Sequence, residues 1–239
     1  MTVRRSPTQF LLRFMRPLTR IRRVALWTEV LFWWKWMRDR AASNIRSELL
    51  DPNRPLRPEL LAAVDRVGGS RARILDVGAG PITTVGHRHP TRDVEVTVVA
   101  TDVLASQYQR LLRKHGVTPP VPTIFADAER LTETFAPGSF DIVFAANCVD
   151  HMERPLQAIQ QMLEVVRPGG CVVLVHFEDE GEKQGYTGLH SSNFHVENGS
   201  FILSNERERI DLGVHFGAQV ELHADARGDI VTAELHKRA

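Results

Sequence analysis

One short segment, residues 74–81 (ILDVGAGP), constrains the fold of this chain more than any other. Its apolar residues predict a buried strand, which continues through Asp76 into a turn built on Gly78 and Gly80. Glycines at such a turn let a ligand approach the backbone, because a Cβ atom there would collide with it. In open α/β sheets, ligands bind beyond the carboxyl ends of the strands. The segment therefore predicts a ligand site, and we expect its turn to open a helix.

The central region continues as an alternation of strands and helices. Apolar strands are predicted at 73–77, 95–101, 123–126, 141–145 and 171–176, with helices at 58–66, 106–115 and 155–166. Such alternation favours a parallel sheet covered by helices on both faces. Two β-hairpins are predicted within 193–204 and 219–236. We predict a Rossmann-like, doubly wound α/β sheet of about seven strands, with a C-terminal antiparallel hairpin, an extra β-hairpin insertion and an N-terminal helical extension.

The first fifty residues differ from the rest in charge and aromatic content. They hold eleven Lys+Arg against three Asp+Glu, and all four tryptophans lie between positions 27 and 36. Apolar stripes at helical spacing, starting with Phe10, Phe14, Leu18 and Ile21, predict helices over 8–50. We expect residues 1–57 to form a helical arm that packs as a lid or a homodimer contact. Peripheral contact with a membrane surface is the alternative.

Composition argues against several classes of protein. No window approaches the ~18 uncharged apolar residues of a membrane span. Residues 51–239 hold nineteen Lys+Arg against twenty-six Asp+Glu, which argues against a nucleic-acid partner. Cys148 and Cys171 show no pairing pattern, which predicts a reducing, cytoplasmic location.

The glycine turn does not fit a dinucleotide-binding fingerprint, because Thr83 stands where the last glycine of Gly-x-Gly-x-x-Gly is required. The segment instead resembles the first motif of class I S-adenosylmethionine-dependent methyltransferases, although Ile82 replaces that family's third glycine. The resemblance covers about residues 58–176 and is closest to a bacterial small-molecule group. Its other motifs are Asp102 after the second strand, 127–129 after the third, 140–144 in the fourth and 166–170 before the fifth.

This resemblance implies S-adenosyl-L-methionine as the cofactor, with Asp102 on the ribose hydroxyls and residues 127–129 near the adenine. The predicted cofactor-binding residues are Asp76, Gly78, Ala79, Gly80, Pro81, Asp102, Val103, Asp127, Ala128, Glu129, Asn147 and Cys148. The structural alternative is that Asp76 or Asp102 only caps the helix that follows it.

The predicted acceptor site lies after the fourth and fifth strands. A general base helps when an alcohol is the acceptor, and histidine titrates near neutral pH. We predict His151 and His190 as candidate bases; alternatively, His151 shapes the cofactor pocket or caps the helix at 155–166. The predicted substrate-binding residues are Trp34, Asp150, Tyr186, His190 and Asn193, the last three within a substrate-selecting insertion at about 178–215 of the main domain, 58–239.

The acidic and histidine residues after the fifth strand raise the question of a metal. Glu178, Asp179, Glu180, His190 and His195 show no fixed ligand spacing, so we predict no metal. The expected function is methyl transfer to an oxygen, in a hydroxyl or carboxylate, of a small metabolite or glycan. The alternatives are N-methylation of a small molecule and a non-catalytic, cofactor-binding partner protein.

Overall fold

The computed structural model describes residues 22–238. Phe10, Phe14, Leu18 and Ile21, on which the first part of the N-terminal arm was predicted, lie outside the described residues. The α-helices are α1 (Arg22–Arg38), α2 (Ser43–Leu49), α3 (Pro58–Val67), α4 (Ala105–Lys114), α5 (Pro155–Val165), α6 (Glu180–Lys183) and α7 (Leu212–Phe216). Two 3₁₀ helices, Ala128–Glu133 and Val149–His151, follow the third and fourth strands.

The strands form one large sheet and one small sheet. They are β1 (Arg71–Val77), β2 (Glu95–Thr101), β3 (Thr123–Ile124), β4 (Phe140–Ala146), β5 (Val166–Phe177), β6 (Asn193–Glu197), β7 (Ser200–Ser204), β8 (Arg209–Asp211), β9 (Val220–Arg227) and β10 (Ile230–Lys237). The large sheet has the order β3-β2-β1-β4-β5-β10-β9, and the small sheet has the order β6-β7-β8. Strands β1 to β5 pair in parallel, whereas β10 pairs antiparallel with both β5 and β9. The predicted fold class is confirmed, and β8 extends the predicted insertion hairpin to three strands.

Alternate residues of β1 explain why the sheet is covered on both faces. Leu75 and Val77 belong to one buried apolar cluster, which includes residues of α5. Ala72 and Ile74 belong to a second cluster, which includes residues of α3. Successive strand side chains point to opposite faces, so a strand that is apolar at every position must be buried on both.

The connection from β1 to β2 contradicts one prediction. We expected the glycine turn to open a helix, but residues 78–94 form turns and bends. Pro81, Gly86 and Pro90 disfavour a helix there, and the β-branched residues 82–85 have low helix propensity. Ile82 is instead buried in a small apolar cluster with Met37, Leu49, Leu111 and Leu112. Helices α1, α2 and α4 therefore cover this part of the sheet.

The carboxyl ends of the parallel strands share one edge of the large sheet. β1, β2 and β4 end at Val77, Thr101 and Ala146, and their pairing places these ends side by side. Among the helices of residues 22–238, none combines the length and hydrophobicity needed to cross a bilayer.

Candidate active site

A cavity of about 480 Å³ opens at the carboxyl edge of the sheet. Its volume lies within the range of ~300–1,000 Å³ that is typical of small-molecule sites. The floor consists of residues that follow β1, β2, β4 and β5. Helix α1 contributes a further wall through Leu26, Glu29, Phe32 and Trp33.

The glycine turn after β1 lines this cavity, and its glycines are required by the protein itself. Gly78 and Gly80 have φ angles of +67° and +66°. A Cβ atom at Gly78 would lie 2.5 Å from the Cβ of Cys148, and one at Gly80 would lie 3.0 Å from the ring of Trp33. The turn therefore fits tightly between the β4 loop and α1 before any ligand is considered.

Asp102 connects the tip of β2 to the glycine turn. Its Oδ2 accepts a hydrogen bond from the Gly80 amide at 3.2 Å, and its Oδ1 accepts one from the Leu104 amide at 2.8 Å. Burial raises the pKa of Asp102, and these two bonds oppose the rise. Leu104 is the N-cap residue of α4, so Asp102 is not the helix cap of the alternative interpretation.

Asp76 is buried below the turn. Its Oδ2 accepts a hydrogen bond from the Thr83 hydroxyl at 2.6 Å. Burial raises the pKa of Asp76 to about 7, although the Thr83 bond and the charge of Arg57 oppose the rise. No helix follows β1 directly, which removes helix capping as an explanation of this residue.

The segment after β3 brings both of its predicted carboxylates to the cavity wall. Asp127 and Glu129 line the cavity, and the Glu129 carboxylate is also bonded to residues that do not line it. The Glu129 carboxylate accepts hydrogen bonds from the Glu153 and Arg154 amides and pairs with the Arg154 guanidinium at 2.9 Å. These contacts hold the 3₁₀ helix against α5, and the role of Glu129 in cofactor binding stays a prediction. The predicted role of Pro81 is corrected, since Pro81 is buried and is absent from the cavity wall.

The remaining predicted cofactor residues lie where expected, in the walls of the cavity. They are Ala79, Val103, Ala128, Asn147 and Cys148. Asn147 adopts a φ of +48° and accepts the Phe177 amide through Oδ1 at 2.9 Å, which joins the ends of β4 and β5. Cys148 is buried, and its thiol contacts the Val77 carbonyl at 3.1 Å. Neither cysteine forms a disulfide.

Three histidines surround Asp150 at one end of the cavity. The Oδ2 of Asp150 lies 2.8 Å from Nδ1 of His190 and 3.5 Å from Nε2 of His151, and the two imidazole nitrogens are 3.2 Å apart. Nδ1 of His176 lies 3.7 Å from the other carboxylate oxygen, Oδ1. Asp150, His151 and His190, which we predicted from two separate segments, are thus brought together.

The charges of this cluster are strongly coupled. Burial alone would raise the pKa of Asp150, but attraction to His151, the nearby His176 imidazole and the hydrogen bond from His190 lower it far below its usual range. Burial would lower the pKa of His190, whereas the hydrogen bond and charge of Asp150 raise it overall. Burial lowers the pKa of His151, and the charge of Asp150 offsets only part of this effect. Asp150 is therefore a permanent anion at this end of the cavity.

Three predicted substrate-binding residues are not in the cavity wall. Asn193 Nδ2 donates to the Tyr186 hydroxyl at 2.9 Å, and Asn193 Oδ1 accepts the Glu182 amide, so both residues brace the insertion loop. Trp34 is partly exposed and lies under the Arg38 guanidinium. The cavity wall contains Trp33, the residue before Trp34, in place of the predicted Trp34.

The sequence interpretation missed two charged residues of the cavity. Glu29 accepts a hydrogen bond from Trp33 Nε1 at 2.8 Å, and burial raises its pKa. It is the single acidic residue of α1, and this isolated charge on an aromatic helix was the signal by which the sequence could have revealed it. Arg57 pairs with Glu59 at 2.7 Å and donates to the Thr84 hydroxyl at 3.3 Å. Nothing in its local pattern distinguishes it from the other arginines nearby.

Comparison with known proteins agrees with this geometry. Residues 75–174, from β1 to β5, match the family described as a methyltransferase domain. These residues carry a methyltransferase domain. Within it lie the glycine turn, Asp102 and the Asp150–His151 segment, and the family indicated by sequence resemblance is thereby confirmed.

Curated relatives match part of this chain rather than its whole length. A demethylmenaquinone methyltransferase of Renibacterium salmoninarum is 34% identical over 115 residues, which are 48% of this chain and 45% of that protein. A ubiquinone/menaquinone biosynthesis C-methyltransferase of Ectopseudomonas mendocina is 33% identical over 116 residues, or 46% of this chain and 43% of the relative. The chain thus spans less than half the length of these relatives.

Solved structures resemble this chain over a larger share of its length. A protein of Pyrococcus horikoshii has a TM-score of 0.48 at 16% identity, covering 85% of this chain and 93% of its own. An S-adenosylmethionine-dependent methyltransferase of Aquifex aeolicus has a TM-score of 0.44 at 14% identity, covering 84% and 95%.

The residues of the cavity fit the family cofactor, S-adenosyl-L-methionine. The cofactor has two ribose hydroxyls, and Asp102 offers a buried carboxylate with acceptor capacity beyond its two backbone bonds. It also carries a sulfonium and an ammonium group, and the carboxyls of Asp76 and Glu29 line the same space. Arg57 supplies a cation for the amino-acid carboxylate of the cofactor.

Proposed function

We propose that this chain transfers the methyl group of S-adenosyl-L-methionine to an oxygen of a small acceptor, a hydroxyl or carboxylate of a metabolite or glycan. The observation that carries the proposal is the Asp150–His190–His151 cluster, which lies in the same cavity as the glycine turn and Asp102. One end of the cavity suits an adenosyl group, and the other end presents hydrogen-bonding side chains to an acceptor.

Binding of the cofactor is assigned to the ends of the first three strands. Asp102 holds the ribose, Asp127 lies beside the adenine, and the glycine turn faces the methionine portion. The bound cofactor supplies an activated methyl group, and the protein has to align an acceptor with it and exclude water. Such positioning contributes up to ~7–11 kcal/mol of barrier reduction in favourable cases.

The acceptor is placed between the histidine cluster and helix α1. Leu26, Phe32 and Trp33 of α1 and Leu189 of the insertion give this part of the cavity an apolar wall. The acceptor oxygen then lies against His151 and His190, which can donate to it or accept its proton. These contacts favour an acceptor with an apolar body and one reactive oxygen.

The division of the chain follows from the same contacts. We assign residues 1–57 to an arm whose helix α1 covers the cavity, and 58–239 to the catalytic domain. The insertion at about 178–215 selects the acceptor through Leu189 and His190. The opposite face of α1 exposes Trp27 and Leu31, and this surface is available for a homodimer or peripheral membrane contact.

The proposal is tested with the purified full chain and methyl-labelled cofactor. Labelled S-adenosyl-L-methionine is incubated with hydroxylated aromatics, carboxylic acids and glycans, and products are identified by mass spectrometry. We expect methyl ethers or esters, with turnover lost in His190→Ala. Cofactor binding by calorimetry without any product across the panel would instead support a non-catalytic cofactor-binding protein.

Transfer to carbon is the second candidate, and it is favoured by the names of the relatives. Two of them are described as a demethylmenaquinone methyltransferase and a ubiquinone/menaquinone C-methyltransferase. A hydroquinone acceptor has an apolar ring and ionisable oxygens, which suits the same wall and cluster. The NMR shift of a ¹³C-methyl product separates a methoxy group from a ring methyl, and an N-methyl product would contradict both candidates.

A further inference from the structure

We propose that Asp150, His151 and His190 form a binding site for one divalent transition-metal ion of the zinc class. Sequence reasoning predicted no metal, because it sought ligands at a regular spacing. The three residues come from the loop after β4 and from the insertion, some forty positions apart in the chain. This site goes beyond the proposed methyl transfer, since it requires neither cofactor nor acceptor to bind its ion.

The first argument is the separation of the three atoms. Oδ2 of Asp150, Nδ1 of His190 and Nε2 of His151 form a triangle with sides of 2.8, 3.2 and 3.5 Å. Around a tetrahedral zinc ion with bonds of about 2.0–2.1 Å, neighbouring ligand atoms are about 3.3 Å apart. The triangle therefore matches one face of a tetrahedral coordination shell.

The second argument is that no arrangement of protons places a hydrogen bond on all three sides of this triangle. If Nδ1 of His190 carries a proton, it donates to Asp150. Nδ1 then has no lone pair to accept a proton from Nε2 of His151, 3.2 Å away. If Nδ1 is unprotonated, its lone pair faces the lone pairs of the carboxylate at 2.8 Å. No pair of tautomers gives each side its own proton. A cation beside the three atoms accepts a lone pair from each of them.

The third argument is that the ligands are held in place. Ser191 follows His190 directly, and its amide and hydroxyl both donate to the Asp150 carbonyl at 2.9 Å. Asp150 is buried, and its Oδ1 has no hydrogen-bond partner among the described residues. His176 lies behind Oδ1 and is stacked on Phe194 at 4.2 Å between ring centroids.

The ligand set decides the class of metal. Two imidazole nitrogens and one carboxylate oxygen suit zinc, cobalt, nickel, manganese and ferrous iron, whereas magnesium and calcium prefer oxygen ligands. Three protein ligands leave at least one coordination position, as in catalytic rather than structural zinc sites. His151 and His190 both line the cavity, so the open position faces the acceptor space. If the proposed function holds, the acceptor oxygen takes that position, where a metal stabilises its deprotonated form.

The test is a cobalt titration of the chelator-treated, untagged full chain, without cofactor or acceptor. We expect one equivalent of Co²⁺ to bind with the visible absorption of a four- or five-coordinate site, and Zn²⁺ to displace it. His190→Ala and His151→Ala should each weaken binding at least tenfold. Far-UV circular dichroism and the affinity for S-adenosyl-L-methionine verify that each variant is folded.

His195→Ala is the matched control. His195 also pairs with an aspartate, since its Nδ1 lies 3.1 Å from Asp179 Oδ1, but within residues 22–238 no third ligand joins that pair. This variant should keep the cobalt spectrum unchanged. Absence of the visible band, or equal affinity in His190→Ala and the parent chain, would overturn the site.

The metal proposal and the proposed function fail in different ways. One tightly bound Co²⁺ with no methylated product leaves the metal site standing and overturns methyl transfer. Full turnover after chelation, with no cobalt spectrum, overturns the metal site and leaves methyl transfer standing.

Discussion

At the scale of single residues, Asp76 is a carboxyl group that burial keeps protonated to unusually high pH. Its folded-state pKa of about 7 lies above the usual 3.8. Between these values the folded state retains a proton that the unfolded state has released. Stability from this group is therefore complete below the unfolded pKa and is lost as pH rises through 7.

The first prediction follows from this loss of stability with rising pH. The free energy of unfolding of the cofactor-free chain should fall between pH 5 and pH 8, and it should fall more steeply than that of Asp76→Asn. The difference between the two slopes should reach up to about 1.4 kcal/mol per pH unit. Chemical denaturation at each pH measures the difference. Asp93→Asn, at an exposed position, is the control and should follow the parent chain. Identical slopes for the parent chain and Asp76→Asn would show that Asp76 is ionised throughout.

The same carboxyl gives a second prediction for the cofactor. S-adenosyl-L-methionine brings positive charge into the cavity, which favours ionised Asp76. Its affinity for the parent chain should therefore rise from pH 6 to pH 8, whereas the affinity for Asp76→Asn should change less. Calorimetry at three pH values measures this, and a steeper rise in Asp76→Asn would contradict it.

Asp102 gives the third prediction at this scale. Asp102→Ala should weaken cofactor binding by about 1.5–3 kcal/mol, because it removes charge-assisted hydrogen bonds to the ribose. Asp102→Asn retains one oxygen acceptor for a backbone amide and should lose less. Unchanged affinity in Asp102→Ala would refute the ribose assignment.

At the scale of elements, α1 has two different faces. Trp33 forms edge contacts with Trp36 at 5.4 Å and Tyr108 at 6.3 Å, and it covers Gly80. Trp34, the next residue, contacts Arg38 at 4.4 Å on the outer side. These contacts make α1 a wall of the cavity on one face and a solvent-facing surface on the other.

The fourth prediction compares these two neighbours. Trp33→Ala should lower the free energy of unfolding by about 2–3 kcal/mol and weaken cofactor binding, since it removes packed aromatic contacts over the turn. Trp34→Ala should change stability by no more than about 0.5 kcal/mol, as a surface substitution does. Equal effects of the two substitutions would contradict the orientation of α1.

At the scale of the whole molecule, ligand binding couples the arm to the sheet. The cavity wall comes from α1 and from the ends of β1, β2, β4 and β5, so a bound cofactor touches the arm and the domain together. Saturation at a hundred times Kd stabilises a protein by about 2.7 kcal/mol.

The fifth prediction is that this stabilisation extends to α1. S-adenosyl-L-methionine should slow amide hydrogen exchange in Arg22–Arg38 as well as in the glycine turn. The β9–β10 hairpin, which contributes no residue to the cavity wall, is the internal control. Protection of the turn without protection of α1 would mean that the arm does not close the cavity.

Local patterns in the sequence determined the elements and much of the cofactor site. β2 was predicted with its observed bounds, β1 with its observed last residue, and β4 within one residue at each end. A strand is recognisable from its own apolar residues, whatever its partner. The ends of parallel strands share an edge, which is why Asp76, Gly78 and Asp102 could be assigned to one site.

Only the tertiary structure decided which side chains meet. In place of the expected helix, Thr83 binds Asp76 and Ile82 packs in a cluster with residues of α1, α2 and α4. Glu129 pairs with Arg154, a contact that the sequence did not predict. The choice of Trp33 over Trp34 depends on how α1 is rotated against the sheet. Asp150 and His190 lie 2.8 Å apart although forty residues separate them. Periodicity and motif spacing report short-range order, whereas such contacts depend on how distant segments pack, which no local pattern records.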